Sequence, residues 1–135
     1  MIKAKKEAFT VLEMLVVVGV IAIVSAIIIP NLFMARMTAN EAAAKSNLRS
    51  IAAAAETLYA SKNHYPDDLT EFENFLQSAR TFCADLNGTK SEYKGYDYSC
   101  TSDVNGYTFE ASPVTLGMTG SITYTVTTGG ILTPL

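Results

Sequence analysis

Residues 9–30 form an almost unbroken apolar run that carries one carboxylate, Glu13, near its start. A single helix of that length spans the roughly 30 Å hydrocarbon core of a bilayer, and residues 11–29 supply the apolar stretch. An acidic side chain at mid-bilayer costs roughly 2.5 to 3.5 kcal/mol on insertion scales, so an intramembrane charge marks a functional site whose partner has to be identified. A plain anchor avoids that cost. The alternative is that Glu13 sits close enough to one end of the span for its side chain to reach the headgroups.

The 135 residues suffice for one small domain and one membrane-length helix. A cleaved secretory signal fits poorly, because it has a shorter apolar core followed by a small-residue cleavage site, whereas here helical patterning continues beyond the run. The net charge is −3 (10 basic, 13 acidic residues); without Lys3, Lys5, Lys6 and Glu7 the balance becomes 7 against 12, or −5. Lysines before the span and acidic residues after it predict a single-pass membrane protein with a cytoplasmic N-terminus and an exported C-terminal domain. With no basic patch, composition gives no support for nucleic acid as a partner. Cys83 and Cys100 both lie in the part expected to be exported, where a pair reads as a disulfide rather than two free thiols. They form no CxxC, and the single His64 is remote from them in sequence, so no metal site is expected.

From Thr10 to about Ser61 nearly every residue favours helix. Beyond Pro30, the residues Ala44, Leu48, Ile51, Ala55 and Leu58 recur at steps of four and three and share one face, while Asn40, Glu41, Lys45, Arg49 and Glu56 lie largely on other faces. An alanine-rich stripe suits a sheet packed flat against the helix. Pro30 removes a backbone donor and clashes with the carbonyl of Ala26, so a kink is expected there, and Gly19 is a second weak point. After Ser61, His64-Tyr65-Pro66-Asp67 reads as a turn. Asp67 is the expected cap of a short helix with Leu69, Phe72, Phe75 and Leu76 facing inward, fraying by residues 80–83. Asn87-Gly88 reads as another turn. Strand alternation then places Tyr96, Tyr98 and Cys100, then Tyr107, Phe109 and Ala111, then Ile122, Tyr124 and Val126 on apolar faces, with Gly129-Gly130 turning into a short last strand. The predicted fold is α+β: a long N-terminal helix, half membrane and half amphipathic, packed on an antiparallel meander of three or four strands. Its segments are residues 1–8, 9–30, 31–61 and 62–135.

The N-terminal residues resemble a known signature. A short basic leader ending Lys5-Lys6-Glu7-Ala8 is followed by Phe9-Thr10-Val11-Leu12-Glu13, the apolar stretch and Pro30, which is similar to the type IV prepilin family. The resemblance is specific from Lys6 to about Tyr59 and weak thereafter. It implies cleavage between Ala8 and Phe9 by a prepilin peptidase that also N-methylates the new terminus, and assembly into a filament guided by Phe9 and Glu13. Ala8 departs from the glycine usual before the cut. The implied partners are copies of the chain and related minor subunits, the peptidase, an inner-membrane assembly platform and membrane lipid.

No catalytic constellation and no cofactor site emerge from the residues. Asp103-Val104-Asn105-Gly106 resembles part of a calcium loop, but a β-turn needs the same residues and the bidentate Glu that ends such a loop is missing. Tyr93, Tyr96, Tyr98, Tyr107 and Tyr124 fit strand and core positions. The reading is therefore a non-enzymatic structural subunit of a type IV pilus-like filament. The alternatives are a pseudopilin of a type II secretion system and a non-assembling, membrane-anchored binding domain.

Overall fold

A computed structural model of the chain describes residues 8–135. The basic leader lysines Lys3, Lys5 and Lys6 lie outside the described residues. The chain divides into two compact units, Met1–Met34 and Ala35–Leu135, with the boundary inside the first helix.

That helix, α1, spans Val11–Lys62. It begins where Thr10 supplies a cap and ends where Asn63 turns into the left-handed region (φ 63°) while its N–H donates to the Tyr59 carbonyl at 2.8 Å. In the first unit the apolar side chains of α1 point outward all round, and none of the membrane-length window is buried. A helix apolar on every face belongs in lipid or among other apolar helices. It is long and apolar enough to serve as a single membrane-spanning anchor. The helical assignment is unbroken through Gly19 and Pro30. One turn beyond Ile27, Asn31 Nδ2 donates to the Ile27 carbonyl at 3.1 Å.

In the second unit, the end of α1 is followed by two short helices and one sheet. Helix α2 covers Leu69–Glu73 and α3 covers Ala79–Phe82. The strands are β1 (Asn87–Tyr93), β2 (Tyr96–Asp103), β3 (Gly106–Pro113), β4 (Tyr124–Thr127) and β5 (Ile131–Pro134), all antiparallel and in sequential order. The α+β architecture of a long helix on an antiparallel meander is thus present, with five strands rather than three or four. The additional one is β1, and Asn87-Gly88 opens it as an irregular entry rather than a turn. The Asp85 carboxylate organises that entry by accepting the Asn87 and Thr89 N–H groups.

Turn chemistry sets the register. Lys94 and Gly95 both have positive φ (49° and 81°) and join Tyr93 to Tyr96 in a two-residue hairpin, the geometry whose twist matches that of the flanking strands. Asp103 Oδ1 accepts from the N–H groups of Asn105 and Gly106 at 2.7 and 3.2 Å, closing the β2–β3 turn. This register puts Tyr98 opposite Ala111, Cys100 opposite Phe109, and Phe109 opposite Val126 on one face. Those residues form one buried core with Ala44, Leu48, Ile51, Ala55 and Leu58 of α1, the face anticipated from the heptad-like spacing.

Two local expectations are corrected. The cap of α2 is Asp68, which accepts the Thr70 N–H at 3.0 Å, and not Asp67. The predicted single helix is split, because the Asn74 and Phe75 N–H groups bond three residues back to Glu71 and Phe72, tightening and ending α2 before α3 starts. Ile122 packs against the core but precedes β4.

Candidate functional site

Glu13 is the only ionisable side chain in residues 9–35. It stands in the first turn of α1, where the first helical N–H groups have no partner within the helix. Thr10 and Glu13 satisfy part of that deficit reciprocally. The Thr10 N–H and Oγ1–H donate to Glu13 Oε2 at 2.8 and 2.9 Å, and the Glu13 N–H donates to Thr10 Oγ1 at 3.2 Å. This is a capping box, with Thr10 as N-cap and Glu13 three residues on. The Thr-x-x-Glu spacing is present in the sequence, but the reading of Glu13 as a buried charge passed over it. Glu13 therefore has a local role in starting the helix, one that the neutral amide oxygen of a glutamine could also fill.

The surroundings of Glu13 are apolar. Phe9, Leu12, Val16 and Val17 lie beside it on one side of the helix, all exposed. Ala8 and Phe9 precede the first helical residue and are also exposed, so the Ala8–Phe9 bond stands outside the helix on accessible chain. Gly19 has open space where a Cβ would project. Pro30 likewise lies on the exposed surface of this unit.

The other residues singled out from the sequence lie in the second unit. Cys83, which follows α3, and Cys100, in β2, form a buried disulfide with Cα atoms 5.4 Å apart. It ties the chain before β1 to the strand after it. Asp103 and Asn105 belong to the β2–β3 turn described above and line a shallow, open depression of about 610 Å³ together with Leu86, Thr101 and Thr128. The tyrosines are structural: burial pushes the Tyr96 phenol up to about 12 and raises Tyr98 and Tyr107 as well.

Sequence reasoning also underrated the polar residues flanking the buried stripe of α1. Asn40 Nδ2 donates to the Thr119 carbonyl at 2.9 Å, and Asn47 Nδ2 to the Tyr98 hydroxyl at 2.9 Å. Glu41 Oε1 accepts from the Ser121 hydroxyl and N–H at 2.7 and 2.8 Å, and these bonds hold its carboxyl below the usual carboxylate range. Glu56 accepts from the Tyr65 and Tyr107 hydroxyls and from the Gly129 N–H. The flanks of the stripe are thus a polar seam that fixes the sheet on the helix.

The chain matches no protein-family model. Over 67 residues it is 31% identical to the type IV major pilin protein PilA of Myxococcus xanthus (strain DK1622). That stretch makes up 50% of this chain and spans 30% of the length of that protein. The similarity is partial, and together with the helix-on-sheet fold it is consistent with the pilin-like superfamily.

Proposed function

We propose that this chain is a structural, non-catalytic subunit of a type IV pilus-like filament, processed at Ala8–Phe9 and polymerised through the first half of α1. The observation that carries the reading is Glu13: one carboxylate at the start of a membrane-length helix whose apolar surface is uncovered. The partial similarity to a major pilin supports the same reading.

The mechanism follows from what the span lacks. Packed among other spans and away from water, Glu13 needs a cation, and residues 9–35 offer no basic side chain. Cleavage after Ala8 creates one, the α-amine of Phe9. The Glu13 carboxylate is already engaged with the Thr10 N–H and hydroxyl, and a carboxylate has lone pairs for further donors. The amine of a neighbouring subunit, displaced along the filament, completes the set. At an effective dielectric near 20, two charges about 4 Å apart attract by about 4 kcal/mol, which offsets much of the cost of burying both. Before assembly, the subunit is anchored in the inner membrane with its C-terminal domain exported. The peptidase, the assembly platform, related minor subunits and membrane lipid are its partners.

The capping box makes the test sharper. Glutamine at this position still accepts the Thr10 bonds but carries no charge. Glu13→Gln is therefore expected to insert and fold like the wild type while yielding little sheared polymer. Glu13→Ala loses the cap as well. N-terminal mass spectrometry of assembled protein should find an N-methylated Phe9 as the first residue. Wild-type polymer yield from Glu13→Gln, or an intact leader on assembled material, would overturn the mechanism.

A further inference from the structure

Where α1 ends, His64, Asp67 and Glu71 bring one ligand atom each to within 4.8 Å of one another. They come from the loop after α1, the residue before the α2 cap, and α2 itself. His64 Nε2 and Glu71 Oε2 are 3.8 Å apart. We propose that these three side chains form a binding site for a divalent transition-metal ion of the Zn2+ class. This inference is independent of the filament reading.

A second observation, outside the three side chains, concerns which imidazole nitrogen is free. His64 Nδ1 lies 2.9 Å from the Tyr65 carbonyl oxygen. A carbonyl only accepts, so Nδ1 carries the hydrogen, and in the neutral ring the lone pair is on Nε2, the nitrogen facing Glu71. Metal-bound histidines are oriented in the same way, by donating their other N–H to a carbonyl or carboxylate. The carbonyl that does this is itself held: Tyr65 and Pro66 are buried, and the Tyr65 N–H donates to the Val104 carbonyl at 3.3 Å. The ring is therefore set for coordination before any ion arrives.

The donor set selects the ion. Imidazole with two carboxylates suits Zn2+ and its neighbours, whereas Ca2+ and Mg2+ take oxygen ligands only. Zn–N and Zn–O bonds of about 2.0 to 2.2 Å place tetrahedral ligands roughly 3.4 Å apart, so from the 4.8 Å limit the site contracts by up to about 1.4 Å. Asp67 is exposed and Glu71 half-buried, and both side chains have the freedom to make that movement. The group that faces them now is Lys62, whose Nζ is 3.8 Å from Glu71 Oε1. Its side chain is about half exposed and swings into solvent when a doubly charged ion takes its place. Three protein ligands leave a fourth position for water.

The test uses the untagged full chain in detergent micelles, stripped with a chelator and titrated with Zn2+ by calorimetry and with Co2+ by visible absorption. The expected result is one saturable Zn2+ site per chain, a Co2+ spectrum with tetrahedral bands, and no response to Ca2+. His64→Gln should weaken Zn2+ binding at least tenfold and Glu71→Gln should weaken it measurably, with metal-free melting temperatures close to wild type. Asp67→Asn, at an exposed position, gives a further variant should His64→Gln melt early. Absence of saturable 1:1 binding overturns the proposal. So does unchanged Zn2+ affinity in the folded His64 or Asp67 variant, or an equal response to Ca2+.

Discussion

Glu56 offers the most stringent test of how the sheet is held on the helix. Its Oε1 accepts from the Tyr107 hydroxyl at 2.8 Å and the Gly129 N–H at 2.7 Å, and its Oε2 accepts from the Tyr65 hydroxyl at 3.2 Å. The Tyr107 hydroxyl in turn accepts the Gly130 N–H at 3.0 Å, so one carboxylate on α1 organises both glycines of the β4–β5 turn. Hydrogen bonds to a charged acceptor contribute roughly 1.5 to 3 kcal/mol each. Three bonds on one half-buried group do not add fully, and the Tyr65 bond is long. We expect Glu56→Ala to cost about 3 kcal/mol, and Glu56→Gln, which keeps an acceptor, about half as much. For a folded unit of this size the alanine variant should melt roughly 10 to 20 °C lower. Amide hydrogen exchange at Gly129 and Gly130 should accelerate together, because their N–H groups lose the carboxylate and its relay. A cycle with Tyr107→Phe should show a coupling energy above about 0.5 kcal/mol. If Glu56→Ala melts within the error of wild type and the two glycine amides keep their protection, the clamp contributes nothing and the reasoning fails.

Other outcomes are equally specific. Replacing Cys83 and Cys100 by alanine opens a loop of sequence separation 17, worth about 3 kcal/mol in the chain-entropy model, and chemical denaturation should show a loss of that order. Tyr96 has its phenol raised from 10.0 to about 12, so the stability it contributes is intact below pH 10 and is lost as pH rises through about 12; Tyr107, also raised, adds to the loss. Melting temperature measured across that window should fall more steeply for the wild type than for Tyr96→Phe. Glu41 works in the opposite direction: its lowered carboxyl contributes stability above its ordinary value of 4.5 that disappears as pH falls below it, and Ser121→Ala should flatten that acid limb. At Gly120 a Cβ would collide with the Tyr96 ring, whose hydroxyl donates to the Ile122 carbonyl, so Gly120→Ala should destabilise by about 1 to 3 kcal/mol in a thermal melt.

The sequence by itself determined the long helix, its buried face and most of the sheet. Ala44, Leu48, Ile51, Ala55 and Leu58 could be assigned to the core because helical periodicity puts them on one side whatever covers them. Tyr96 to Cys100 and Tyr107 to Ala111 could be assigned because a strand with one buried face must alternate. Glu13 stood out because a charge in an apolar run has an energetic cost that is visible without coordinates, and its capping partner was also within reach at Thr10. Strand β1 gave no such signal. As an edge strand its residues, among them Lys90 and Glu92, are mostly exposed, and it is held by its ladder to β2, the Lys94-Gly95 turn and the one ring of Tyr93 against Phe82 rather than by an alternating apolar face.

Tertiary structure alone decided the partners of the polar groups. That Glu56 meets Tyr107 and Gly129, and that Glu41 meets Ser121, depends on how chain segments are brought together in space. Hydrophobic burial is non-directional and follows local pattern, so it can be read along the chain. A long-range hydrogen bond is fixed by distances and angles between groups remote in sequence, and those exist only once the sheet has closed on the helix.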